Sequence, residues 1–287
     1  MNNGGDGMVK EQKSNRGLVK LVIAILILIG LSTLVGLYTE WLWFSSLDYG
    51  RVFTTIILNK AGLYLLVFII TLAVFYVNLH LTRRHHAQKN GRPTETDEGR
   101  EIIYLEETTP WRSFMQGRNS TLVFLGISLL AAFILSSTTA DKWIVVQQFI
   151  HRVTTGTTDP IFHKDLSFYF FNLSFYHFIY DTLMSLLLLL IVAVAVVYLI
   201  DASLEVFFGE WNQFSFAKGH VALIITAILG LKAWGYKLAA YDILFSPSGL
   251  VYGATYSDIY GRLMAYKVLM AVSLLVALIV LANLFVK

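Results

Sequence analysis

Long stretches without a charged side chain most constrain how this sequence can fold. Five of them contain 19, 22, 22, 19 and 19 uncharged residues, at 21–39, 61–82, 119–140, 182–200 and 268–286. A helix needs about 20 apolar residues to cross roughly 30 Å of hydrocarbon. Each stretch is therefore long enough to span a membrane by itself.

The composition supports the same conclusion. Hydrophobic residues make up 56% of the 287 residues and charged residues only 14%, whereas soluble domains average about 25% charged residues. A soluble enzyme this apolar would expose large apolar patches, so that class is disfavoured. The net charge of +3 gives no support for nucleic-acid binding, and the lack of cysteine excludes disulfides, thiolate metal sites and a cysteine nucleophile.

A sixth candidate span, 220–240, is interrupted by Lys232 and Lys237, so that only 13 uncharged residues separate Lys218 from Lys232. If His220 marks the inner boundary of the membrane, Lys232 lies about 18 Å into the layer. Two interpretations stay open. The amines can reach outward to the headgroups along their flexible stems, or they can line a water-filled pathway or an anion site.

Small residues recur every fourth position in the same span, at Ala222, Thr226 and Gly230. This pattern predicts a surface where another helix approaches closely. The interior of each predicted span contains no Asp or Glu, so the sequence indicates no acidic proton relay at membrane depth.

These patterns predict an all-α fold, a polytopic transmembrane helix bundle with six spans and additional interfacial helices, in which residues 21–287 form the membrane domain. The first span follows four basic residues, as a signal peptide would. Its apolar run is longer than the 7–15 residues usual for a signal core, and no small-residue cleavage site follows it. We therefore interpret it as an uncleaved helix.

The distribution of Lys and Arg predicts the orientation. The tail 1–20 carries four and the segment 83–118 carries seven, whereas the segment between the first two spans carries two. Basic loops remain cytoplasmic. We therefore expect a protein of the cell membrane with a cytoplasmic N-terminal tail and a cytoplasmic linker at 83–118, and with residues 141–181 outside.

The predicted outer segment 141–181 combines helical hydrophobic spacing with a dense run of aromatic residues. Together they indicate an interfacial helix beginning near Trp143 and an aromatic belt leading into the fourth span, an interpretation we favour over a ligand-binding aromatic box. Four residues of this segment could in principle ligate a divalent metal: His163, Asp165, His177 and Asp181. No metal-binding motif accompanies them, and we predict no metal site.

Catalytic motifs are missing from the sequence. It contains no glycine-rich phosphate loop, no G-x-S-x-G elbow and no convincing pairing of a nucleophile with a base. We therefore predict no catalytic residue and no cofactor.

Three phrases taken together resemble a known family: EWLWFSSLDYGRVF at 40–53, DPIFHKDLSFY at 159–169 and GATYSD at 253–258. They are similar to uncharacterised protein family 0182, a group of large bacterial integral membrane proteins. The resemblance implies an N-terminal membrane domain, usually of seven helices, followed in full-length members by a large extracytoplasmic region, and it supplies no catalytic residue. On this comparison we expect a fragment, or a short member that lacks the seventh helix and the outer region.

Two functions are compatible with these observations. The first is a membrane-anchoring or structural domain of an envelope-associated protein, whose partners are the lipid bilayer and possible membrane or envelope proteins. The second is a transporter or channel-like component with a polar binding site formed by Lys232, Lys237, Tyr256 and Asp258. For Asp258 we favour a simpler role, in which its carboxylate accepts hydrogen bonds near the start of the sixth span.

Overall fold

The computed structural model describes residues 6–89, 118–206, 215–247 and 253–284, and its ordered elements are helices. The longer helices are α1 (Asp6–Ser46), α2 (Gly50–Lys89), α3 (Arg118–Ala140), α4 (Trp143–Ile150), α5 (Ser174–Val206), α6 (Ser215–Asp242) and α7 (Leu263–Ala282). A π-helical turn precedes α5 at Phe168–Leu173 and another precedes α7 at Asp258–Arg262, while a 3-10 turn, Ile243–Phe245, follows α6. The predicted all-α fold is confirmed.

Five helical segments in the described part of the chain are long and apolar enough to cross a membrane. They are Gly50–Arg83, Asn119–Ala140, Phe168–Ile200, Phe216–Phe245 and Asp258–Ala282. They contain or overlap the second to sixth predicted spans. The first predicted span, 21–39, is not among the five; it lies within α1, and some of its side chains fall outside the described residues.

The ends of several spans differ from the prediction because charged residues lie inside the helices. Lys60 lies within α2, Asp181 within α5 and Lys267 within α7. The apolar segment that overlaps the sixth predicted span therefore begins at Asp258, before Lys267, instead of at residue 268, and it ends at Ala282. The distance between charged residues underestimates the length of a helix when its charged side chains can extend toward the headgroups.

Several predicted segments fall partly outside the described residues. Of the predicted linker 83–118, the first residues continue α2 to Lys89, residues 90–117 are not described, and Arg118 begins α3. Residues 1–5, 207–214, 248–252 and 285–287 are likewise not described.

The chain divides into two units, Met1–Asn59 and Lys60–Lys287. In the first unit, α1 is joined to α2 by a tight turn in which the backbone N–H of Tyr49 donates to the carbonyl of Phe44 at 2.9 Å. Asp48 adopts φ 62° in this turn, a left-handed conformation that Asp tolerates better than most residues. The rings of Phe44 and Phe53 pack 5.7 Å apart across it.

The second unit has an apolar core formed by α2, α3, α5 and α6. Its most deeply buried side chains include Phe75, Leu79, Phe124, Leu190, Val194 and Ile224. Two buried serines within α3 use their hydroxyl protons locally, since Ser128 donates to the carbonyl of Phe124 at 2.7 Å and Ser136 to that of Ala132 at 2.6 Å. Both hydroxyl groups are thus hydrogen-bonded within the buried interior of the unit.

A close approach between two helices occurs at Gly235 of α6. A Cβ atom at this position would lie 2.6 Å from ring atoms of Tyr180 in α5, whereas a Cβ at Gly230 would meet no atom within 4 Å. The predicted contact surface along Ala222, Thr226 and Gly230 is therefore wrong at its Gly230 end. Spacing alone identifies small residues but does not show which of them faces a bulky neighbour.

This contact generates a prediction for stability. Gly235→Leu should destabilise the bundle by about 1–3 kcal/mol, because the new side chain displaces the Tyr180 ring from a packed site. Thermal unfolding in detergent, followed by circular dichroism, measures the effect. Gly230→Leu is the matched control and should leave the unfolding temperature unchanged or slightly raised. An equal decrease in unfolding temperature in the two variants would contradict the close contact between Gly235 and Tyr180.

Candidate functional site

The loop between α4 and α5 is organised around the carboxylate of Asp159. Its two oxygens accept hydrogen bonds from the backbone N–H groups of Ile161, Phe162 and Lys164, at 2.8, 2.6 and 2.8 Å. The hydroxyl of Tyr169 donates to the same carboxylate at 2.7 Å. Asp159 is only 4% exposed. One buried side chain thus fixes the loop and ties it to the first turn of the α5 segment.

Asp165 performs a similar role on the other side of this loop. Its carboxylate accepts hydrogen bonds from the backbone N–H groups of Thr155, Gly156 and Ser167, at 3.1, 2.8 and 2.8 Å. Gly156 has φ 74°, a conformation that glycine adopts without steric cost. The DPIFHKDLSFY phrase therefore supplies two carboxylates that hold the loop in shape.

The hydrogen bonds lower the pKa of both carboxyl groups. Burial raises the pKa of Asp159, but the donors from Phe162, Tyr169, Lys164 and Ile161 together outweigh burial and lower it to about 2. The hydroxyl and backbone N–H of Ser167 make the largest contributions to lowering the pKa of Asp165. Both groups are therefore anionic at neutral pH.

An aromatic cluster packs this loop against α5 and α6. Its buried centre consists of Tyr169, Leu173 and Leu238, surrounded by Phe168, Tyr176, Tyr180, Trp234, Tyr241 and Leu244. The ring of Tyr241 lies 5.0 Å from that of Phe162 and 5.1 Å from that of Phe168, both edge to face. The predicted aromatic belt thus includes a packed cluster within the protein.

Two polar contacts between side chains hold the same end of the bundle. Nε2 of His177 in α5 lies 3.0 Å from a carboxylate oxygen of Asp242 at the end of α6. Nζ of Lys60 in α2 donates to Asp141, after α3, at 2.9 Å and holds the pKa of that carboxyl below its usual value. The pairs connect helices that are distant in sequence.

Three of the four residues considered as metal ligands have different surroundings. Asp165 holds the loop and His177 pairs with Asp242, while His163 adopts φ 54° in the loop. Across the described ranges, no three His, Asp or Glu residues come together as a metal site.

A cavity of about 310 Å³ lies between α3, α4 and α5. Lys142, His177 and Asp181 line it together with the hydroxyl side chains Thr138, Thr139, Ser174, Thr182 and Ser185. Several of these hydroxyls donate to carbonyls of their own helices, among them Thr139 and Thr182 at 3.0 and 2.8 Å. The hydroxyls of these two threonines therefore have acceptor lone pairs to offer rather than a proton.

The structure distributes the four predicted binding residues among separate surroundings. Lys232 is exposed, with its amine 5.5 Å from the centre of the Tyr236 ring. Lys237, also exposed, lines a second cavity of about 240 Å³ between α6 and α7. Lys267, which was not among the predicted binding residues, also lines this cavity.

Tyr256 and Asp258 belong to the start of the α7 segment. Tyr256 is 77% exposed, with its ring 4.3 Å from that of Tyr260. Asp258 is 1% exposed; it accepts hydrogen bonds from the N–H and hydroxyl of Thr255 at 3.1 and 2.8 Å and pairs with Arg262 at 3.0 Å. Asp258 thus has the contacts of a helix-entry residue, as the simpler interpretation expects.

A polar network at the opposite end of the bundle was not predicted. The imidazole of buried His220 in α6 shares hydrogen bonds with the Tyr198 hydroxyl at 2.9 Å and the Asn78 side-chain oxygen at 3.0 Å. Arg83, five residues after Asn78 in α2, donates a hydrogen bond to Ser120 and thereby links α2 to α3. The sequence did contain a clue to this network, because Asn78, Tyr198 and His220 each lie near the predicted cytoplasmic end of a span.

Comparison with known proteins identifies the family. Residues 17–287 match the sequence model of an uncharacterised protein family, UPF0182. The chain belongs to UPF0182. The resemblance carried by the three phrases is therefore confirmed.

Curated relatives give the extent of the similarity. A UPF0182 protein of Desulforamulus reducens is 39% identical over 284 residues, which cover 96% of this chain and 30% of the relative. A UPF0182 protein of Pelotomaculum thermopropionicum is 36% identical over 258 residues, covering 88% of the chain and 27% of the relative. The chain thus spans less than a third of these relatives. No solved structure matches it.

The loop carboxylate gives a prediction for acid sensitivity. The pKa of Asp159 is lower in the folded loop than the value of about 3.9 for a free Asp, so its stabilisation is present above pH 4 and is lost as the pH falls toward about 2. Asp159→Asn should reduce hydrogen-exchange protection of the Ile161, Phe162 and Lys164 amides by about 10- to 100-fold at pH 7.

Protection factors corrected for the intrinsic exchange rate, measured from pH 2 to pH 7, test this prediction. The difference in protection factor between wild type and Asp159→Asn should become smaller toward pH 2, where Asp159 becomes protonated in the wild type as well. Asp181→Asn is the control, since Asp181 is exposed and lies outside the loop. Unchanged protection in Asp159→Asn at pH 7 would disprove the role of the carboxylate.

Proposed function

We propose that this chain is a membrane-anchoring domain of the cell membrane that supports the outer part of an envelope-associated protein. The helices provide the apolar length for anchoring, with five segments able to cross a bilayer. The N-terminal tail and residues 83–118 lie in the cytoplasm under this proposal, because they carry most of the basic residues of the first half.

The main support is how the chain uses three carboxylates of its family phrases. Asp159 and Asp165 accept hydrogen bonds from their own loop, and Asp258 accepts them from Thr255 and pairs with Arg262. Groups committed in this way preorganise a surface. They are poorly suited to exchange protons or ligands during a transport cycle, which would require them to change partners.

The arrangement of the interior also favours anchoring over transport. The core that joins α2, α3, α5 and α6 is built from apolar side chains such as Phe75, Leu190 and Val194. The polar contacts described above lie mainly toward the two ends of these helices. Lys232, the deepest charge in the sequence-based transporter hypothesis, is exposed and extends over Tyr236.

Cysteine labelling tests the proposed orientation, since the native chain contains no cysteine. Thr157→Cys, in the exposed loop, should react with a membrane-impermeant maleimide in intact cells. Asn90→Cys should react only after permeabilisation. Labelling of Asn90→Cys in intact cells would invert the proposed orientation.

Flux through reconstituted liposomes separates an anchor from a channel or transporter. The purified chain should give no proton or anion leak above that of protein-free liposomes, because the proposed domain contains no conducting path. A pH-sensitive dye and a chloride-sensitive dye inside the vesicles provide the readout. A flux that Lys232→Gln or Lys237→Gln abolishes would replace the anchor with the transporter hypothesis.

A further inference from the structure

The cavity between α6 and α7 has an unusual combination of charge and apolar surface. Two amines line it, those of Lys237 and Lys267. Its other lining residues are aromatic, aliphatic or thioether side chains: Phe162, Tyr236, Ala240, Tyr241, Leu263, Tyr266 and Met270. None of the described residues that line it is acidic. Two like charges therefore share a small, largely apolar space.

The two lysines lie at matching heights on antiparallel helices. Lys237 is eight residues before Phe245, the end of its apolar segment, and Lys267 is nine residues after Asp258, the start of the next. At about 1.5 Å per residue, they lie about 12 and 14 Å from the same end of the bundle. An anion of headgroup size could contact both.

Two other cations at this end of the bundle have carboxylate partners. Lys60 pairs with Asp141 and Arg262 with Asp258. Charges near the hydrocarbon are costly unless an opposite charge accompanies them, and the cavity lining supplies none to Lys237 and Lys267. Charge complementarity therefore calls for an anion that comes from outside this set of residues.

The apolar part of the cavity indicates what carries the anion. Leu263 and Met270 lie along one wall, and the neighbouring surface of α7 exposes Met264, Val268 and Val272. A free inorganic anion would gain nothing from this surface, whereas an acyl chain would be buried against it. The hydroxyls of Tyr236, Tyr241 and Tyr266 are potential hydrogen-bond donors to phosphate oxygens.

We propose that this cavity binds an anionic phospholipid, with its phosphate between Lys237 and Lys267 and an acyl chain along α7. The inference rests on the proposed membrane anchoring, because it requires α6 and α7 to lie in a bilayer. The proposed site binds one class of lipid specifically, whereas the rest of the domain needs only apolar contact with lipid chains.

Native mass spectrometry of the full chain in detergent tests the site, with phosphatidylglycerol and phosphatidylcholine as probes. Wild type should retain phosphatidylglycerol and release phosphatidylcholine. The double variant Lys237→Gln, Lys267→Gln should bind phosphatidylglycerol about 30-fold more weakly, the factor expected for losing two attractions between lysine and anionic lipid. Lys232→Gln is the matched control on α6 and should bind as wild type does.

A second variant tests the apolar wall independently of charge. Met270→Trp keeps both lysines but fills the space for the acyl chain, and it should also weaken retention of phosphatidylglycerol. Glycerol 3-phosphate at millimolar concentration distinguishes a lipid from a free phosphate and should not displace the bound lipid. Helical content measured by circular dichroism verifies that each variant is folded.

Three results would overturn the proposal: equal retention by wild type and a folded double variant, equal loss in Lys232→Gln, or complete displacement by glycerol 3-phosphate. The last result would assign the cavity to a soluble anion. Each can occur while the labelling pattern of the chain is unchanged, in which case the lipid site fails but membrane anchoring stands.

Discussion

A chain that crosses hydrocarbon must satisfy its own backbone hydrogen bonds, because no water is available there to do so. Helices meet this requirement along their length, and the described chain is accordingly built from them. The requirement becomes harder to meet where a helix ends and a loop begins. In this protein side-chain carboxylates take over at those points, with Asp159 and Asp165 before α5 and Asp258 before α7 accepting the loop amides.

The same requirement explains why much of the fold was predictable. Uncharged stretches at 61–82 and 119–140 have the length that a membrane-spanning helix needs, and the structure has α2 and α3 there. The ends were less predictable because a charged residue does not terminate a helix. Lys267 and Asp181 both lie within helices, since a charged side chain can leave the hydrocarbon while its backbone remains inside.

The candidate site was harder to predict than the fold. Lys232 and Lys237 were predicted as binding residues because a charge in an apolar span is unusual. Only the packing of the helices shows that Lys237 and Lys267 line the same cavity. The hydrogen bonds of His220 with Tyr198 and Asn78 were missed for the same reason. Single polar residues in separate spans carry no pairing information until the helices are rotated against one another.

The π-helical turns at Phe168–Leu173 and Asp258–Arg262 both occur where a loop enters an apolar segment. A π turn accommodates an extra residue within a helix, and one residue corresponds to about 100° of rotation about an α-helix axis. Each π turn therefore changes the rotation of the following helix about its axis, relative to the loop that precedes it. An insertion or deletion of one residue at these turns would thus be absorbed locally, without rotating the helix that follows.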